Sequence, residues 1–495
     1  MAERSAHHNQ SHGGFAEGLC RYIEKSGMSV KKLSAVTGLG RTAIQHTMAG
    51  KLMPARNFTE RLLAALPITH DQRDELMEQY AREKSGDAAY YNRSRIKEMI
   101  ETLPKYRISD SITEISSNAD VLEGCTFRCV SGIMNVGNIL RAAMVTEASQ
   151  IFPEITAAMP FRNTLFFEMI LQIFSASQSG LRFEHFFRMY ACSEGEKNTN
   201  IDVLRSVLRI AVCAPIDYSP YYHYVDREWG EYFLAAYPYF MVTKKYSVLV
   251  SSDFGSALIT DDKGLRDELL SHSGKIKSRS SLLLSQVDQT EMYGLFAQST
   301  RFFHSSIEYQ PCLTGFVTED IVNRRLSPDI PNREAMLAAI KEQFFSAPRQ
   351  DPEHIKIHFT KEGLLSFAET GKMTNMPGTV LDPLSPEERI AFLNGMKQMP
   401  ETFILLSEGF SVPSFMQVIC LSNGTVIISC LMEEKKFCCL LTEQGLSAAF
   451  EDLIDNLTEL GLTENSEILD TMIDGCIEMI RRNEETTDRS AELDA

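Results

Sequence analysis

Arg41, Thr42, Gln45 and His46 stand at positions i, i+1, i+4 and i+5 of one short stretch, RTAIQHTM. On a helix that spacing lines the four side chains along one side and turns Ile44 and Met48 to the other. The set suits the reading of base edges. A guanidinium pairs with guanine O6 and N7, a glutamine amide with adenine N6 and N7, and a threonine hydroxyl donates or accepts. Lys25, Lys31, Lys32, Lys51 and Arg56 flank the stretch, and no carboxylate occurs from Lys25 to Thr59. In a chain of formal net charge −17, that local inversion points to phosphate backbones as the partner.

The elements that must position these residues are short. Two helical patterns lie either side of Thr37-Gly38-Leu39-Gly40, with Leu33, Val36, Leu39, Ile44 and Met48 where two crossed helices touch, a helix-turn-helix pattern. Gly38 suits the sharp turn because it reaches positive φ at little steric cost, and Gly50 suits a stop after Ala49. Phe15, Leu19, Tyr22 and Ile23 predict an apolar helix face upstream. Downstream, helices are expected over Asn57 to Leu66, capped by Asn57 with Glu60, and over Asp71 to Lys84. An all-α head of five helices over residues 15–84 follows.

The stretch Ser29 to Pro54 resembles the phage-repressor-like (XRE-type) helix-turn-helix transcriptional regulators, whose pattern is met by Ser29, Leu33, Ser34, Gly38, Leu39, Ile44, Gly50 and Pro54 with its spacing intact. The resemblance implies that the second helix enters the major groove, with Arg41, Thr42, Gln45 and His46 toward base edges and Ser29, Lys31, Lys32 and Lys51 as further DNA-binding residues. It covers only the N-terminal domain, and departs at three places. Val30 replaces a phosphate-holding Gln, Gly40 replaces a Ser cap, and Thr47-Met48 replaces a Trp-Glu-like pair. The alternative for the same motif is a protein-interaction adaptor.

Charge marks the boundary with the rest. Residues 1–110 carry 17 Lys and Arg against 13 Asp and Glu, whereas the remainder carries 32 against 53, a body that nucleic acid repels. The expected layout is a flexible tail over 1–14, the head over 15–84, a connecting helix over 85–110, a helical dimerisation or relay region over 111–236, an α+β regulatory body over 237–480 and a flexible tail over 481–495. In the helical region the runs Ile133 to Glu147, Thr164 to Ser175, Leu181 to Tyr190 and Asn200 to Cys213 show apolar residues at helical spacing.

The α+β body reads as repeated strand-strand-strand-helix units. Strands over 240–243, 246–250 and 256–259 precede Thr260 and a helix near Gly264. Strands over 415–421, 425–432 and 437–441 precede Thr442 and a helix from Gly445 to Leu457. Ile357 to Leu364 forms a shorter echo around Thr360. Each Thr is placed to cap its helix. Aromatic residues crowd Tyr218 to Phe240, where Tyr221, Tyr222, His223, Asp226 and Trp229 form a candidate effector pocket; a packed junction is the other reading.

Other classes find little footing. The eleven cysteines lack paired CxxC spacing, so neither zinc nor any other cofactor is implied, and the absence of an apolar leader fits reduced thiols in a cytoplasm. Pro413 and Asn423-Gly424 break the uncharged run Gly409 to Met432 into strands, against a membrane span. No phosphate loop, nucleophile elbow, HExxH or dinucleotide fingerprint occurs, and the alternation of His354, Lys356 and His358 suits the wet face of a strand. The expectation is therefore a non-enzymatic, bacterial, cytoplasmic regulator: a homodimer on double-stranded DNA with an acidic body open to a small-molecule or peptide effector.

Overall fold

The computed structural model describes residues 14–103, 122, 124–175, 180–191, 195–213, 216–225, 236–287, 302–330, 332–345, 355–373, 381–414, 416–431 and 436–493. Two compact units emerge, the first built on the residues up to Ser94 and the second on Arg95–Cys192, Asn198–Asp455 and Leu462–Ala495. Among the described residues no helix is long and apolar enough to cross a membrane.

The first unit is helical: α1 (Phe15–Ser26), α2 (Val30–Thr37), α3 (Arg41–Met48), α4 (Arg56–Ala64), α5 (His70–Ser85) and the start of α6 (Asp87–Thr102). Phe15, Leu19, Leu33, Ile44, Leu62, Leu76 and Tyr80 fill its core. Two helix starts differ from expectation. Ala55, not Asn57, caps α4 without a side-chain bond, and Glu60 instead takes the Arg56 guanidinium at 2.7 Å. The capping box lies on α5, where Thr69 and Gln72 exchange bonds, an arrangement that satisfies two otherwise free amides.

The second unit combines helices with two mixed sheets, consistent with the expected α+β body, and its plan occurs twice. Its first half contains β1 (Phe127–Ser131), α7 (Ile133–Ala148), β2 (Glu154–Ala158), α8 (Thr164–Ser175), β3 (Leu181–Tyr190), α9 (Asn200–Cys213), β4 (Ile216–Val225), β5 (Tyr239–Val242), β6 (Ser247–Val250), β7 (Ser256–Thr260), α10 (Lys263–Lys277) and β8 (Ser281–Leu282). Its second contains β9 (Leu284–Gln286), β10 (Phe303–Glu308), α11 (Glu319–Arg325), α12 (Arg333–Ile340), β11 (Lys356–Phe359), α13 (Lys361–Thr370), α14 (Pro386–Lys397), β12 (Phe403–Leu405), β13 (Met416–Leu421), β14 (Val426–Leu431), β15 (Lys436–Leu441), α15 (Gln444–Asp455) and α16 (Ser466–Leu493).

The first sheet runs β1-β7-β6-β5-β2-β3-β4-β8 and the second, read from its other end, β9-β15-β14-β13-β10-β11-β12. Both therefore place an edge strand against an antiparallel meander, then three parallel strands. The parallel strands need crossover connections, which helices such as α8 and α9 supply. Even the last strand has a counterpart. β8 lies antiparallel on β4, and Thr463 bridges Leu406 in the same sense beside β12. One residue, Leu283, separates β8 from β9, fully buried and bonded through its amide to Pro220 O at 2.8 Å.

Several expectations change. Leu181–Tyr190 is a strand rather than a helix, paired in parallel with both β2 and β4, so the region expected to be helical over 111–236 holds β1 to β4 of the first sheet. The expected tail over 481–495 continues helix α16 as far as Leu493. The echo at Thr360 is no third copy, for it lies at the β11–α13 junction inside the second half. Of the three expected Thr caps only Thr360 serves, accepting from Gly363 N at 3.0 Å. Asp262 caps α10, and the Glu443 carboxylate takes the Gly445 and Leu446 amides of α15 at 3.0 and 2.7 Å.

Candidate nucleic-acid interface

The α2–α3 corner is fixed from both sides. Ser29 caps α2 by accepting from Lys32 N. The Thr37 hydroxyl donates to Leu33 O at 2.7 Å and accepts from Leu39 N at 3.2 Å, while Ser34 Oγ donates to Leu39 O at 2.7 Å. Gly38 adopts φ 68°, the left-handed region that glycine enters without strain. The Arg61 guanidinium donates to Thr37 O at 2.5 Å, a clamp that spacing along the sequence does not disclose.

On α3, Ile44 and Thr47 are buried, Thr47 donating to Ala43 O at 2.9 Å, while Arg41, Thr42, Gln45 and His46 are all exposed. The helix starts at Gly40 without a side-chain cap and ends at Ala49, with Gly50 at φ 64°. Lys51 N closes the end on His46 O at 2.9 Å. Ser29, Lys31, Lys32 and Lys51 are also exposed. Lys31, Lys32, Arg41 and Lys51 enter no ion pair among the described residues, whereas Arg56 is neutralised by Glu60. Val30, at the place of the expected Gln, is half-buried against the head's core.

Of the candidate effector pocket, Tyr221, Tyr222 and His223 lie on β4. β4 pairs regularly with β3, so alternate side chains point to opposite faces. Tyr222 meets Tyr224 edge-on at 5.5 Å on one face. Tyr221 lies on the other, stacked on Phe186 at 5.4 Å with the Lys277 ammonium 4.8 Å from its ring. His223 shares the Tyr221 face, and burial together with the Arg188 charge lowers its proton affinity. Asp226 and Trp229 lie outside the described residues. What Tyr224 does instead is join the halves of the body, donating its hydroxyl to the Glu443 carboxylate, with burial the main cause of its raised pKa.

Two buried polar groups escaped the sequence. His185 donates from Nε2 to Met159 O at 2.6 Å and accepts at Nδ1 from Tyr218 OH at 2.8 Å; burial holds its pKa down to about 4, so the ring is neutral. Glu308 accepts from Ser306 Oγ at 2.6 Å, its Oε2 has no hydrogen-bond partner among the described residues, and burial pushes its pKa up to about 7. It heads a row across the second sheet, Glu308–Gln417–Ser429–Cys438. His358, expected on a wet face, is buried with Nδ1 on Ser306 O at 3.0 Å; His354 lies outside the described residues.

No family model matches the chain, and no curated protein matches it. Among solved structures, one similar chain is TrmBL2, an archaeal chromatin protein whose structure shows a novel mode of DNA binding. The match covers 53% of this chain and 99% of that one at 7% identity and a TM-score of 0.19, a likeness too slight to carry an argument.

Proposed function

We propose that the chain is a sequence-specific DNA-binding transcriptional regulator, similar to the XRE-type repressors in its head, acting in the cytoplasm as a homodimer. One observation supports this most: Arg41, Thr42, Gln45 and His46 all face solvent on one helix whose opposite side is locked into the core. In this reading α3 lies in the major groove, Arg41 and Gln45 make the paired base contacts, and Lys31, Lys32 and Lys51 meet phosphates. The Ser29 hydroxyl, exposed at the start of α2, donates to a backbone phosphate there, where the helix amides also favour an anion. The acidic body dimerises and so pairs two heads, and an effector that prefers one arrangement shifts their spacing and with it operator affinity.

The test is binding of the full chain to DNA flanking its own gene at two salt concentrations, beside an Arg41→Ala, Gln45→Ala double variant. Salt-sensitive, sequence-preferring binding lost in the variant supports the reading. Absence of binding at low salt by folded protein sinks it and brings forward the adaptor. Exposed Val36, Leu52 and Met53 on the head favour that second reading, whose apolar contacts would persist in high salt.

A further inference from the structure

β1 is the outermost strand of the first sheet, and among the described residues no strand lies on its outer side. The stretch from Phe127 to Met134 is exposed apart from half-buried Val130, and it carries bulky apolar groups: Phe127 is 67% exposed, Ile133 61% and Met134 75%. The duplicated body offers an internal comparison. Gly264-Leu265 and Gly445-Leu446 follow the last meander strand at the same distance, which matches Thr260 with Leu441. Phe127 opposes Thr260 and Leu284 opposes Leu441, so Phe127 and Leu284 hold the same place. Leu284 is 2% exposed, because the chain enters it from β8 and Leu283, held on β4. Among the described residues Phe127 has no such neighbour. One apolar position is thus covered in the second half by another α/β half and bare in the first.

We propose that the β1 edge, with Phe127, Ile133 and Met134, is where a second copy of this chain docks, β1 pairing antiparallel with the partner's β1 about a two-fold axis. A strand edge that meets itself antiparallel is self-complementary and closes as a dimer. The three side chains offer roughly 400 Å² to a partner, about half of the ~800 Å² that a specific interface buries per side; paired backbones and flanking polar groups supply the rest. The choice of a second copy rests on the DNA-binding reading, in which one recognition helix alone buries too little to be specific. Cys129, the exposed middle residue of β1, then faces its own counterpart. Facing residues of antiparallel strands lie about 4.5–5.5 Å apart at Cα, within reach of a disulfide.

Sedimentation of the full chain without DNA tests this. Wild type should be a dimer at micromolar concentration, and a Phe127→Asp, Met134→Asp variant of unchanged circular dichroism and melting temperature should dimerise at least about tenfold more weakly. Mild oxidation should cross-link wild type and leave Cys129→Ser uncross-linked. A wild-type monomer at tens of micromolar overturns the proposal, as does a dimer indifferent to the double substitution, or one that oxidation does not link through Cys129. A dimer that behaves as expected yet ignores DNA keeps the surface and sinks the DNA-binding reading alone.

Discussion

At the residue scale, the exposed side chains of α3 and the buried carboxyl of Glu308 make different demands. Replacing Arg41 or Gln45 singly by Ala should cost about 1–3 kcal/mol of binding and relax preference at one base pair, whereas Lys31→Ala or Lys51→Ala should weaken binding to all sequences and lower the salt slope by about 1. Operator titrations at several salt concentrations separate the two patterns. Glu308 bears on stability instead. Its folded pKa of about 7 lies above the ordinary 4.5, so the folded protein keeps a proton that the unfolded chain releases between those values. The cost of burying a carboxylate is absent below the lower value and complete above the upper one, about 3 kcal/mol by the shift. Glu308→Gln should therefore stabilise the protein at pH 8 and change little near pH 4, read as denaturant midpoints at the two pH values. His185 has the opposite sign. Its pKa falls from 6.5 to about 4, so its contribution is intact above pH 6.5 and is lost as pH drops toward 4.

At the element scale, the α2–α3 corner and the β11–α13 junction both depend on glycine, for different reasons. Gly38→Ala would force a left-handed residue and push a Cβ to 3.2 Å from the Arg61 guanidinium, costing about 1–2 kcal/mol. At Gly363 the added Cβ would sit 1.8 Å from Tyr309 O; backbone must move, and a loss of about 3 kcal/mol is expected. Thermal melts of the two variants check the order. The corner was legible because its helices are amphipathic and its glycines obligatory, and the meanders were legible because their strands are short apolar runs rich in β-branched residues that end in turns such as Asn423-Gly424. β3 was not. Its Leu181, Phe183, His185, Phe187 and Met189 are buried on one face with Arg182 and Arg188 exposed on the other, but Phe186 beside Phe187 adds apolar spacings of three and four from Phe183 that fit a helix as well. The Glu308 row was beyond reach for another reason: which residues face each other depends on the register of strands more than a hundred residues apart. Parity sets Tyr221 and His223 apart from Tyr222, since adjacent residues of a strand cannot share a face.

At the scale of the whole molecule, duplication explains the proportions of the chain: a small basic head and a large acidic body made of one plan used twice. The repeated sequence signals, LIT before Gly264 and LLT before Gly445, marked only the last third of each copy, where the meander turns into its helix. The parallel strands have diverged too far to announce themselves. Leu283 sets how the two copies behave together. A joint of one buried residue has no slack, so a pull on one sheet loads the edge of the next. The body should melt in one calorimetric transition, and a short glycine-serine insertion between Leu283 and Leu284 should split it in two. Leu283 makes the pair a single mechanical part, able to pass a displacement from one end of the body to the other without spending it in a hinge.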